Sequence, residues 1–336
     1  MPRWAARVLA VGLVAGCEPN PDFDGAIDGG GSSGDCTPRA RVSGLHAAWS
    51  TPNFIRWAWE VDEGTTDTLQ EFRLELANSE AELLAGDVRV VTRVDNPELG
   101  FLELPGTMGA DPVVATVVDE LMPDTDYAAR LLAIDDFGCT HATAIAFEHT
   151  PPPPVGDITI FADTLPGYVL PDVLRLIEDP SRAHAGAAYL EYRPQEDPEC
   201  ADVTPACWQN LRIQGMAIPL ALGEAYDKTA YVELALAADT ANTPYWANAW
   251  LRFTEVCSAC SGGSAEECPE CSGYYDAWTV RPSSDYRVLQ WPLRAFLRGD
   301  DPIPAAESDA GLFGFALGAA WDPSAVIRID EIHVRY

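Results

Sequence analysis

The chain has 336 residues, with 52 Asp and Glu against 21 Lys and Arg, for a formal net charge of −31. Lys228 is its only lysine. A chain this acidic, without a basic patch, is a poor binder of nucleic acid or of an anionic membrane surface.

The N-terminus comes first. Arg3 and Arg7 flank a short positive region, and the apolar run Val8 to Ala15 follows. That run is far shorter than the roughly 20 residues a membrane-spanning helix needs. Residues 1–16 therefore read as a secretory signal peptide. Val14-Ala15-Gly16-Cys17 resembles the signal of bacterial lipoproteins, in which small residues precede an obligatory cysteine. The resemblance implies cleavage before Cys17, a diacylglycerol on its thiol and an acyl chain on its amine. Each buried CH₂ of such chains adds roughly 0.8 kcal/mol of membrane affinity. The rest of the chain is then expected outside the cytoplasm. It would be lipid-anchored in the bacterial cell envelope, facing the periplasm or exposed at the cell surface.

Residues 17–36 contain "DGAIDGGGSSGD" and carry no apolar period. This composition predicts a flexible tether. "TPPPPVG", Thr150 to Gly156, marks a seam, with 151–155 as a stiff Pro-rich linker. Two domains are expected, over 37–150 and 156–336, in keeping with the length.

Neither half shows strong helical periodicity. Both show short alternating runs punctuated by Gly, Pro, Asn and Asp, which predicts an all-β chain of sandwiches. In the first half Ile55, Trp57, Trp59 and Val61 share one strand face, and Phe72, Leu74 and Leu76 another. Tyr127, Ala129, Leu131 and Ala133 repeat the pattern, as do Ile145 and Phe147. Such faces are expected to be buried between two sheets. Pro38, Leu45, Trp57, Leu121, Pro123, Thr125, Tyr127 and Thr150 together resemble a fibronectin type III domain. Leu-x-Pro-x-Thr-x-Tyr resembles that family's corner, with Tyr127 as the corner tyrosine. Between Leu83 and Thr116 the sequence departs from the family pattern. Such a fold implies a spacer or a protein-binding module and no chemistry of its own.

The second half contains "VGDITIFADTLPGY", "AYVELALA", "YWANAWLRFTEV", "DYRVLQWPLRAF" and "GLFGFALGAAWDPSAVIRIDEIHVRY". Together these resemble the galactose-binding-like jelly roll of many carbohydrate-binding modules. The resemblance implies closing strands over Tyr286 to Phe296, Gly311 to Leu317 and Val326 to Val334. It also implies a structural Ca²⁺ held near the first and last strands, and Asp163 and Asp330 stand at the corresponding positions. Calcium needs roughly six to eight oxygens, so two aspartates supply only part of a site.

No catalytic constellation stands out. The chain has no Gly-x-Ser-x-Gly and no His-Glu-x-x-His. His333 is expected to be a solvent-facing or hydrogen-bonded histidine. Asp330 and Glu331 are adjacent on a strand and are expected on opposite faces. The carboxylates of Glu191 to Glu199 fall in a Pro-containing loop. A more specific pattern lies in "TPYWANAWLRFTEV". As a strand it puts Tyr245, Ala247, Ala249, Leu251 and Phe253 on one face, and Trp246, Asn248, Trp250, Arg252 and Thr254 on the other. "CWQNLRIQ" splits likewise, with Trp208, Asn210, Arg212 and Gln214 together. Indoles interleaved with amides and guanidinium groups suit a sugar, which offers apolar C–H faces and hydroxyls. The candidate ligand residues are Trp208, Asn210, Arg212, Trp246, Asn248, Trp250 and Arg252. The alternative is that these tryptophans pack under a loop or against the first domain.

Nine cysteines less Cys17 leave eight, an even number that in an exported chain points to disulfides. Cys36 and Cys139 are expected at one pole of the first sandwich and make a reasonable bridge. Cys200 and Cys207 flank one short loop. Cys257, Cys260, Cys268 and Cys271 form two Cys-x-x-Cys pairs. Two disulfides, with three connectivities open, are favoured there by the compartment. A zinc site has the right ligands and spacing, and a redox motif lacks the helix-opening context it needs.

The sequence thus predicts an all-β, non-catalytic surface lipoprotein. A fibronectin type III-like sandwich is followed by a jelly roll that binds a ligand, with carbohydrate favoured and a structural Ca²⁺ as the candidate cofactor, ahead of zinc at Cys257 to Cys271. Its partners are the membrane, through the lipid, and a polysaccharide or glycan. The alternatives are an adhesion or envelope-assembly component, with an envelope or surface protein as partner, and a glycan hydrolase.

Overall fold

The computed structural model describes residues 36–62, 65, 68–92, 94–96, 99, 101–102, 111–112, 114–164, 174–193, 196, 207–218, 222, 225–239, 245–253, 272–274, 278–280, 284–295, 297–298, 301–302, 312–321 and 326–336. For 101–102, 111–112, 207–218, 226–227, 245–253, 272–274, 278–280, 297–298, 301–302 and 312–321 it describes the backbone. Cys17, Cys200, Cys257, Cys260, Cys268 and Cys271 lie outside the described residues.

The first half contains β1 (Val42–Thr51), β2 (Phe54–Val61), β3 (Leu69–Ala77), β4 (Arg89–Val91), β5 (Phe101–Leu102), β6 (Asp111–Pro112), β7 (Ala115–Val118), β8 (Asp126–Asp135), β9 (Thr140–Ala142) and β10 (Ala146–His149). One sheet has the order β1-β2-β7 and the other β10-β8-β3-β4, with β9 paired to β8. This is a fibronectin type III-like sandwich. Its core follows the period-two alternation of the strands. Ile55, Trp57 and Trp59 of β2 are buried together with Phe72, Leu74 and Leu76 of β3 and Ala129, Leu131 and Ala133 of β8. Trp59 and Phe72 meet edge to face at 5.5 Å between ring centroids. At the corner, the Tyr127 hydroxyl accepts the Met122 N–H at 2.8 Å. The Thr150 hydroxyl donates to the Met122 carbonyl at 2.6 Å.

Two local features differ from expectation. Phe147 is 61 % exposed instead of lying in the core. It pairs with Ala128 while Ala146 pairs with Ala129, so Ala146 takes the core-facing phase of β10. A one-residue offset moves every side chain of a strand to the other face. A helix, α1 (Glu80–Ala85), also stands where none was expected. The Glu82 N–H donates to the Ser79 hydroxyl at 3.2 Å. The Glu82 carboxylate accepts the Asn78 N–H at 3.1 Å. Gly86, at φ 80°, closes the C-terminus. Ser79-x-x-Glu82 is a helix-start signature, but six residues are too few for a helical period to show.

Asp135 organises the pole where the disulfide lies. Cys36 and Cys139 are bonded, with 5.6 Å between their Cα atoms and 103 residues of sequence separation. One Asp135 oxygen accepts the N–H groups of Cys139 at 2.8 Å and Phe137 at 3.0 Å, and the other accepts that of Arg39 at 3.0 Å. Burial pushes the Asp135 carboxyl up. The three N–H groups and the Arg39 charge outweigh it and hold the group below the usual carboxylate range.

The second half contains β11 (Asp157–Phe161), β12 (Leu174–Glu178), β13 (Ala188–Tyr192), β14 (Cys207–Ile218), β15 (Tyr231–Ala238), β16 (Tyr245–Phe253), β17 (Ser272–Tyr274), β18 (Trp278–Val280), β19 (Arg287–Pro292), β20 (Leu297–Arg298), β21 (Asp301–Pro302), β22 (Leu312–Trp321) and β23 (Ile327–Arg335). One sheet runs β12-β13-β23-β15-β19 with β11 on β23, and the other β14-β22-β16-β17-β20-β21 with β18 on β16. This is the jelly-roll sandwich. In the first of these sheets Leu190, Tyr192, Leu234, Leu236, Trp291, Ile329 and Val334 are buried.

Strand β23 carries a bulge. Ala235 pairs with Asp330, but Glu233 pairs with His333, so two residues stand opposite Leu234. Glu331 takes a φ of 49°. The bulge replaces the simple alternation expected for Asp330 and Glu331, and it returns His333 to the face that carries Asp330. His333 is buried, and each ring nitrogen meets a carboxylate: Asp157 at 3.0 Å and Glu331 at 2.8 Å.

Candidate functional site

The two strands that carry the sequence candidates are both present, as β14 and β16. They are not neighbours. Strand β22 lies between them and pairs with both. The register forms rows across the three strands. Asn210, Gly318 and Asn248 make one row, Arg212, Ala316 and Trp250 the next, and Gln214, Gly314 and Arg252 a third. Trp208 pairs with Ala320 at the end of the series. On the other side of β16, Trp246 pairs with Thr279, Trp250 with Tyr274 and Arg252 with Ser272.

Directly paired positions of an antiparallel sheet share a face. The rows above therefore belong to one face. The intervening rows, Gln209–Ala319–Ala247, Leu211–Leu317–Ala249 and Ile213–Phe315–Leu251, belong to the other and are apolar apart from Gln209. The register keeps the two residue sets of β14 and β16 in separate, alternating rows. The central strand adds what that reading lacked. On the polar-aromatic face β22 presents only Gly314, Ala316, Gly318 and Ala320, which carry at most one side-chain carbon each. The alternation of small residues in "GFALGAA" was visible in the sequence. Its meaning depended on which strands flank it.

Asp163 and Asp330 brace one loop on the other sheet. Asp330 is wholly buried. One of its oxygens accepts the His184 N–H at 2.7 Å, and the other that of Glu331 at 2.8 Å. Burial pushes the Asp330 carboxyl up, against those N–H bonds. Asp163 accepts the N–H of Ala188 at 2.8 Å and also that of Ala187. Gly186 has φ +69°, and a Cβ there would fall 2.3 Å from the Asp163 oxygens. Among the described residues no group of three or more His, Cys, Asp or Glu is arranged to hold a metal ion.

The acidic residues near the end of β13 are engaged in ion pairs. Glu191 is buried and meets Arg193 at 2.7 Å, while Glu196 pairs with Arg175. No helix among the described residues is long and apolar enough to cross a membrane.

No protein-family model matches the chain. No curated protein matches it at a significant level. Among solved structures, it is similar to the family 30 carbohydrate-binding module of the cellulosomal cellulase Cel9D-Cel44B of Clostridium thermocellum. Identity is 12 %, covering 54 % of this chain and 97 % of that one, with a TM-score of 0.35. A xylan-binding domain from carbohydrate-binding module family 22 gives 15 %, 55 %, 94 % and 0.30 for the same quantities. The sixth fibronectin type III domain of human fibronectin type III domain containing protein 3 gives 20 %, 36 %, 93 % and 0.24. These are likenesses in fold and assign no ligand to this chain.

Proposed function

We propose that this is a non-catalytic, lipid-anchored binding protein of the bacterial cell envelope whose jelly roll takes a polysaccharide chain across β14, β22 and β16. The observation that supports it is the row pattern. A middle strand of Gly and Ala would leave a channel along β22, between two strands that carry indoles, amides and guanidinium groups. Trp208, Trp246 and Trp250 supply flat apolar surface for sugar C–H faces. Asn210, Asn248, Arg212 and Arg252 supply hydrogen bonds to hydroxyls, and a few such groups fix orientation. Affinity electrophoresis through gels containing plant or bacterial polysaccharides tests the reading. Retardation by at least one polysaccharide, lost in Trp246→Ala plus Trp250→Ala, is the expected result. Unchanged retention of that variant counts against it.

The anchor is Cys17, behind its signal sequence. Metabolic labelling with a lipid precursor should label the wild-type protein and not Cys17→Ser. Cys257, Cys260, Cys268 and Cys271 lie in sequence between β16 and β17 and form two disulfides. Mass spectrometry should find this segment four hydrogens lighter than its reduced form. Cys200 and Cys207 form the fourth bridge, beside Cys36–Cys139, by the same measure. Calcium at Asp163 and Asp330 is a separate proposal, and it stands only if chelation lowers the melting temperature.

A further inference from the structure

The proline segment is clamped at both ends. On the first sandwich, the Asp124 N–H donates to the Pro151 carbonyl at 3.1 Å, and the Thr150 N–H donates to the Thr125 carbonyl at 3.0 Å. On the second, the N–H groups of Val155 and Gly156 donate to the Tyr336 carbonyl at 2.8 and 2.7 Å. The Tyr336 N–H returns to the Gly156 carbonyl at 3.0 Å. A Cβ on Gly156 would lie 2.4 Å from the Tyr336 ring, so that ring lies directly on the linker. Between the clamps run only Pro152, Pro153 and Pro154, whose rings fix φ.

Side chains also cross from one sandwich to the other. The Thr51 hydroxyl at the end of β1 donates to the Gln290 carbonyl oxygen of β19 at 2.6 Å. Both residues are buried, at 1 % and 2 % exposure, so this part of the seam excludes water. The Gln290 amide donates to Glu233 at 2.6 Å, and Glu233 also accepts from Arg335 at 3.1 Å. The contact is thereby tied into the sheet behind it. At a second point Arg287 of β19 pairs with Asp119, which also meets Arg89 at 3.4 Å. Strand β19 is the last of its sheet in the described pairing, and β1 lies against it. An edge strand covered in this way is protected from pairing with other chains.

We infer that the two sandwiches form one rigid body, and that the seam Thr51–Gln290 and Asp119–Arg287, rather than the proline segment, locks them. The first sandwich then fixes the direction of the second relative to the tether. It docks on the edge of the sheet that does not contain β14, β22 and β16. The inference concerns domain geometry and stands or falls independently of carbohydrate binding.

Amide ¹⁵N relaxation on the full chain with Cys17→Ser tests it without any ligand. Residues 36–150 and 156–336 should report the same overall tumbling time. Thr51→Arg, which forces a long charged side chain into the buried contact, should split that value into two shorter times. Arg287→Ala should shift it the same way to a smaller degree. Dispersed amide spectra from both halves verify that each sandwich stays folded in the variants. Unequal times in the unaltered seam would overturn the inference. So would undiminished coupling in Thr51→Arg combined with Arg287→Ala.

Discussion

Asp330 holds His184: the buried carboxylate of the last strand accepts the His184 backbone N–H at 2.7 Å, across 146 residues of sequence. Its other oxygen satisfies the Glu331 N–H at the bulge. Asp330→Ala leaves both N–H groups without an acceptor, at about 1–3 kcal/mol for each that stays buried. The urea midpoint of the second sandwich should fall accordingly, with Asp330→Asn in between. The raised pKa of this group adds a pH term. Stability should decline as pH rises from about 4, the unfolded-state value, to the higher folded-state pKa, and this decline should be absent in Asp330→Asn.

The Cys36–Cys139 bridge and Asp135 stabilise the first sandwich together. A closed loop of this size is worth up to about 4–5 kcal/mol in the chain-entropy picture. Cys36→Ser with Cys139→Ser should lower the first sandwich's denaturation midpoint by up to that amount. Asp135, with its folded pKa depressed, contributes stability that is present above its unfolded pKa and lost as pH falls through the folded value. Acid titration followed by tryptophan fluorescence should show an acid unfolding limb that is shallower in Asp135→Asn.

His149 sits between two carboxylates on the surface, with Nδ1 at 2.8 Å from Asp126 and Nε2 at 3.2 Å from Asp124. The hydrogen bond to Asp126, followed by that to Asp124, holds its pKa above the ordinary histidine value. The associated stability is present below the unfolded-state pKa and fades as pH rises through the folded one. Proton NMR titration should place the His149 transition above that of a free histidine, and Asp126→Asn should move it down.

Gly318 occupies the middle of a row between Asn210 and Asn248. If the channel over β22 is the polysaccharide path, Gly318→Trp fills it. Retention in affinity gels should fall tenfold or more, equivalent to about 1.4 kcal/mol, while the denaturation midpoint stays near wild type. Retention equal to wild type would exclude this path.

Much of this molecule was legible before any coordinates. Alternation at Ile55, Trp57 and Trp59 located a core face, because a strand buried on one side must repeat every second residue. The corner at Tyr127 was legible because its short motif is held by local bonds to Met122 and Thr150. The phase of β10 was not. Ile145 and Phe147 are both apolar, yet Ile145 packs against Ala77, Leu83 and Ala128 while Phe147 remains in solvent. Period-two patterning gives two equivalent phases, and the pairing partner decides between them. The bulge at Glu331 was hidden for a similar reason, since a single residue with positive φ breaks the alternation without marking it in composition.

The sequence by itself determined the all-β class, the core face of Ile55, Trp57 and Trp59, and the corner at Tyr127. Each follows from local periodicity, composition or a short motif. Only the tertiary structure decided that β22 runs between those strands, that Asp163 and Asp330 close on one loop, and that Thr51 meets Gln290. Those relationships join residues far apart in the chain. Strand order and domain docking are set by the burial of whole faces against each other, which no short window of sequence contains.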